Sequence, residues 1–181
     1  MIVVKGIELR NEADEITLNE FEKIFNILQN DEIGKLEQYI KIFQLLGIDE
    51  NVLDEMDETE LVDFIKQFNV MRMSDTELIP SFEINGRKYV AYNEGEEFKF
   101  KTKSIIEIER YAKKGGEHYP SHIMACVFKD VELTNNEHFV SAHLEHKAKL
   151  FREHIKASVA TPYISILAQR TLKALESAKI D

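Results

Sequence analysis

The stretch "EHFVSAHLEHKAKLFREH" (Glu137–His154) carries four of the chain's six histidines, and imidazoles gathered on one helix are the raw material of metal centres. The spacing argues against such a centre. At 100° per residue Val140, Leu144, Ala148, Phe151, Ile155 and Val159 share one stripe that must face a core. His143 and His154 flank that stripe, and His146 lies opposite it, towards solvent. His143 and His154 are eleven residues apart, about 16 Å along a helix axis, too far to share an ion. His143 and His146 are neighbours, but the positions able to add a third ligand hold Phe139, Ala142, Lys147 and Leu150, none a normal zinc donor. The Glu-x-x-His spacing of di-iron bundles is absent, since Asn135, Val140, His143 and Phe151 precede the four histidines by three. His118 and His122 have i,i+4 spacing, but Pro120 between them interrupts a shared helix. These histidines read as surface or boundary residues holding no metal, able at most to charge together near pH ~6.

The other reactive residue types lead no further. Cys126, the single cysteine, excludes an internal disulfide and any multi-thiolate zinc site. It lies in the apolar run Ile123–Phe128, where it reads as core filling rather than as a thiolate. From Asp49 to Glu60 seven of twelve residues are acidic, yet a calcium loop counted from Asp49 puts Leu53 at the fifth position and Asp54 at the sixth, where a ligand and a glycine belong. The acids instead suit helix amino termini. No phosphate loop, dinucleotide fingerprint or Gly-x-Ser-x-Gly elbow is present. The expectation is a chain without catalytic residues or cofactor.

Those residues must be positioned by elements whose punctuation is legible. Ile2–Leu9 reads as a strand or tight hairpin around Lys5-Gly6. Thr17 and Glu20 have capping-box spacing before a stripe of Leu18, Phe21, Phe25 and Leu28. Asp31 is a candidate cap for a second helix with stripe Leu36, Tyr39, Ile40, Phe43 and Leu46, closed by Gly47. Asp57 and Glu60 repeat the capping box. Asn85-Gly86 between alternating residues specifies a type I′ hairpin, to which "EFKFK" can add a third strand. Ser104 and Glu107 repeat the box spacing before a helix ended by Gly115-Gly116, and Pro120 suits the first turn of the next. Thr134 is a candidate cap for a histidine helix reaching about Ser158, and Thr161-Pro162 for a restart.

The resulting class is α+β, predominantly helical, with a small amino-terminal β element and an antiparallel hairpin or three-stranded sheet around Asn85-Gly86. Pro80 and the aperiodic stretch before it divide the chain into 1–72 and 79–181, with one core or two left open. The 181 residues suffice for a full core, 44% being hydrophobic, and Asp+Glu exceed Lys+Arg by 33 to 23 for a formal charge of −10. Without a basic block, nucleic acid and anionic membranes are not expected partners. The longest apolar run is six residues and the amino terminus lacks signal-peptide character, so a soluble, intracellular protein is expected.

The segments "EITLNEFEKI", "LLGID", "INGRKYVAY", "KTKSIIEIERYAKK", "HIMACVF" and "KAKLFREHIKASVATPYISIL", in this order from Ile16 to Leu167, resemble small proteins of tailed bacteriophages encoded among virion morphogenesis genes. That resemblance implies a tail-assembly-chaperone-like or minor structural protein, in the virion or the host cytoplasm, with phage structural proteins or a second copy as partner. It implies no catalytic residues. Independently, Tyr163, Ile164, Ile166, Leu167, Leu172 and Leu175 make the last helix apolar around much of its circumference, which means burial between the halves or a partner contact. Two other readings stand beside it: an acidic regulatory module that inhibits a host protein by occupying a basic site, and a hydrolase using a carboxylate pair.

Overall fold

We describe the fold from a computed structural model, over residues 2–4, 7–10, 12–68, 78–92, 100–114, 116 and 118–177. Strands β1 (Ile2–Val4) and β2 (Ile7–Leu9) pair antiparallel as the first hairpin. Helix α1 (Leu18–Leu28) begins at the capping box: Glu20 N–H donates to Thr17 Oγ1 at 3.2 Å and Thr17 N–H to Glu20 Oε2 at 2.8 Å. Helix α2 (Lys35–Leu45) starts later than Asp31 would place it, with Gly34 as its cap. Leu36 thereby falls in the first turn, 47% exposed, and the buried line runs through Gln38, Ile42, Phe43 and Leu46 instead. Gln38 is accommodated there by donating to Asn30 O at 2.7 Å. Gly47 ends α2 at φ 101°, and Ile48 N–H returns to Phe43 O, the left-handed terminus that favours glycine. Asp49 caps α3 (Glu50–Asp54), and Asp57 with Glu60 boxes α4 (Glu58–Gln67), so these acids hold helix ends.

The hairpin of β3 (Ser81–Ile84) and β4 (Arg87–Ala91) turns at Asn85 (φ 53°) and Gly86 (φ 77°), the two positive values a type I′ turn needs. Its third strand is β5 (Phe128–Asp130), in the order β3-β4-β5. "EFKFK" does not supply it: Phe100 and Lys101 are outside any strand, and 97–99 lie outside the described residues. Helix α5 (Thr102–Lys113) is capped at Lys101 without a side-chain bond. Ser104 does not close a box with Glu107, because its hydroxyl donates to Cys126 O at 2.8 Å while Glu107 pairs with Arg110. Pro120 occupies the first turn of α6 (Tyr119–Val127), whose residues from Pro120 onward are all buried.

The histidine segment is three pieces rather than one helix. Thr134 and Glu137 box a single turn, α7 (Asn135–His138); the chain breaks at Phe139-Val140; α8 spans Ser141–His154 and α9 Ala157–Ser177. The second break, Ile155-Lys156, is extended and bridges Thr17 to Lys156. Leu18 N–H donates to Ile155 O, Ala157 N–H to Ile16 O and Ser158 N–H to Ala13 O, so the orphan amides of α1 and α9 satisfy one another's flanking chain. These bonds start α9 at Ala157, not at Pro162, which lies inside the helix and only deprives Ser158 O of its usual donor. Buried apolar residues form one cluster from Leu9 to Tyr163, with α1 packed against α6, α8 and α9. Thus α1, from the first segment, belongs in space with the helices of the second.

Candidate functional site

Helix α6 is the most enclosed element described, and a buried helix leaves end groups that must be answered: amide N–H groups with partial positive charge at its start and carbonyls with partial negative charge at its end. Both ends are met by charged side chains from other helices. At the start, Glu22 on α1, 1% exposed, accepts from Ser121 N–H at 2.6 Å. Its second oxygen takes His118 Nδ1 at 3.1 Å and lies 3.8 Å from Arg152 of α8. At the other end, Lys147 on α8, 3% exposed, donates from Nζ to Ala125 O at 2.8 Å and Phe128 O at 3.0 Å. Anion at the amino end and cation at the carboxyl end is the polarity the helix dipole favours.

The third partner of Lys147 is His138. Nζ donates to its Nδ1, and the ring's own N–H turns to the Cys126 carbonyl. Three ammonium hydrogens thereby meet three acceptors. On one continuous helix His138 and Lys147, nine residues apart, would sit on opposite faces and about 13 Å apart; the break at Phe139-Val140 is what lets them meet. Burial drives both bases toward their neutral forms. It lowers His138 to about 3, with the Lys147 charge adding to the effect, and it lowers Lys147 to about 7 against the opposing pull of Cys126 and Asp130. Asp130 is not in contact with the ammonium; it accepts from Glu132 N–H and lies 3.5 Å from Arg87.

The remaining histidines are spread out. His122 is buried, stacks on Tyr111 at 3.7 Å, and is held down to about 4, by burial first and then by Lys147 and Lys114. His143 and His154 use Nδ1–H on the carbonyls of Glu137 and Leu150, both at 2.9 Å, and His146 is exposed. The surface or boundary reading thus holds for His118, His143, His146 and His154 and fails for His138 and His122, which are 0% and 7% exposed. Among the described residues no group of three His, Cys, Asp or Glu lies close enough to hold a metal ion. Cys126 is core, its thiol pushed up to about 12 by burial.

Of the contact residues read from the last helix, Tyr163 is withdrawn from any surface: it is fully buried and its hydroxyl donates to Ile79 O at 2.8 Å. Ile164, Ile166 and Leu167 are half-buried against the core, and the side chains of Leu172 and Leu175 lie outside the described ones. A shallow hollow of about 260 Å³ opens between α1, α5 and the start of α6, lined by Phe25, Asn26, Gln29, Ala112, Gly116 and Tyr119. Sequence reasoning missed Glu22 and Lys147, although a signal existed. Leu18, Phe21, Glu22, Phe25 and Leu144, Lys147, Ala148, Phe151 each follow i, i+3, i+4, i+7, which places the charged residue inside the apolar stripe.

These features define a predominantly helical α+β protein whose buried charges serve its central helix. No protein-family model, curated protein or solved structure matches the chain. Among the described residues no helix is long and apolar enough to cross a membrane.

Proposed function

We propose that this chain is a non-enzymatic protein that acts through contacts with other proteins, as a tail-assembly-chaperone-like or minor virion component of a tailed phage, in the virion or the host cytoplasm. The observation that supports a contact role is the use made of the buried charged side chains. Glu22 and Lys147, the residues whose burial would otherwise suggest a reaction centre, are engaged by main-chain groups at the two ends of α6. Apolar surface is what remains for recognition: Leu36, Ile106, Val131 and Val140 are each about half exposed, and Ile164, Ile166 and Leu167 are half-covered along α9. The phage assignment rests on the sequence resemblance. The formal charge of −10 favours one competitor, an acidic inhibitor of a host protein with a basic site.

Gradient fractionation of cells that make the protein, with mass spectrometry of each fraction, tests this reading. Co-sedimentation with particles or with one of their structural proteins is the expected result. Recovery only as free chain, or only with a host protein, overturns the assembly role, and the latter outcome selects the inhibitor.

A further inference from the structure

Lys147 and His138 are two bases in direct contact inside the protein, and only one hydrogen can lie between Nζ and Nδ1. An ammonium at Nζ already directs its other hydrogens to Ala125 O and Phe128 O. A proton added at Nδ1 would therefore turn an acceptor into a donor and set two cations against each other. No neighbouring group among the described residues relieves that. From β5 come Asp130, engaged with Arg87 and Glu132 N–H, and the cation Lys129; from α5, the cation Lys103, whose Nζ sits 4.9 Å over the Phe139 ring; from α6, the neutral thiol of Cys126 and neutral His122. Tyr92, after β4, presents its ring edge-on to His138 at 4.8 Å, and the Glu137 carboxylate of α7 caps its own turn at Thr134.

The walls of this cluster differ in how they are fixed. Ala125 and Phe128 belong to the buried α6–β5 core, and Lys147 is in the middle of a 14-residue helix. His138 rides on α7, a four-residue turn whose backbone bonds are local, such as His138 N–H to Thr134 O and Val140 N–H to Glu137 O. We propose that α7, with its flanking residues Thr134–Val140, is an acid-operated flap: protonation of His138 drives the imidazole off Lys147 and swings α7 away, wetting both bases and uncovering the Tyr92 face now stacked under Phe139.

The sign follows from linkage. In the open state His138 titrates near its ordinary value of about 6.5, whereas in the closed state it stays neutral down to about 3. The opening equilibrium therefore gains about tenfold for each pH unit below about 6.5. Hydrogen exchange of the full chain, followed by mass spectrometry or NMR from pH 8 to pH 4.5 and corrected for intrinsic exchange, reads this directly. The expected result is an opening constant for Thr134–Val140 that climbs about tenfold from pH 8 to pH ~6.5, because wetted Lys147 regains its proton, and roughly a hundredfold more by pH ~4.5 as His138 charges, with the α6 and α8 amides still protected. On the same samples, His138 ring nitrogen shifts should show charging only in step with that loss. Flat protection across the range overturns the flap, as does charging of His138 without opening, or simultaneous loss of protection in α6 and α8.

Discussion

Replacing Glu22 by glutamine keeps the shape of the side chain and removes its charge, so it isolates the electrostatic part of the hold on α6. The Ser121 N–H bond, 2.6 Å long, loses its ionic acceptor. A hydrogen bond to a charged group contributes about 1.5–3 kcal/mol against about 0.5–1.5 for a neutral one. The amide nitrogen of the new side chain would also face His118 or Arg152, where two donors meet. Loss of the favourable dipole interaction adds up to ~2 kcal/mol in a buried setting. Together these give a destabilisation of about 2–3 kcal/mol, or roughly 5–10 °C in Tm for a chain of this size. Urea denaturation monitored by circular dichroism, with thermal scans beside it, measures both quantities. A change below about 0.5 kcal/mol, or a gain in stability, would refute the view that Glu22 holds α6 by its charge.

The opposite end of α6 gives a pH signature. The unfolded chain keeps the Lys147 proton up to about 10.5 and the folded chain sheds it near 7, so wild-type stability should climb with pH between those values. In Lys147→Met that contribution vanishes: urea titrations of the two proteins at pH 6 to 10 should diverge by about 1.4 kcal/mol per unit above pH ~7, and parallel curves would contradict it. Gly116→Ala should cost about 1–3 kcal/mol, because a Cβ there would lie 2.0 Å from the Tyr111 ring and push it off His122; an unchanged melting temperature would show that the ring yields freely.

What the sequence made legible was punctuation. Capping boxes at Thr17 and Asp57, the positive-φ turn at Asn85-Gly86 and the left-handed Gly47 are local devices whose hydrogen bonds close within a few residues, so spacing alone specifies them. The failures are cases where a distant partner took the group. Ser104 had capping-box spacing, but its hydroxyl is claimed by Cys126 O from α6. Thr161-Pro162 had start-signal chemistry, but the helix is begun earlier by the carbonyls of Ile16 and Ala13. The histidine segment reads as one helix because its apolar stripe continues through Ile155, and the breaks at Phe139-Val140 and Ile155-Lys156 arise from contacts with Tyr92 and Thr17. The buried charges were hidden by habit rather than by lack of signal, since a lysine or glutamate is usually placed in solvent even when its neighbours put it in a stripe.

The account turns on Lys147 being enclosed by α6 and α7 rather than offered to a substrate. Detection of the lysine Nζ protons by NMR at pH ~6 tests this most directly. Enclosure predicts one ammonium signal, assigned to Lys147, whose protons exchange with water far more slowly than those of the other lysines and couple across hydrogen bonds to the Ala125 and Phe128 carbonyls. Exchange as fast as at a surface lysine would place Nζ in water, remove the carboxyl-end hold on α6, and return Lys147 to the residues available for chemistry.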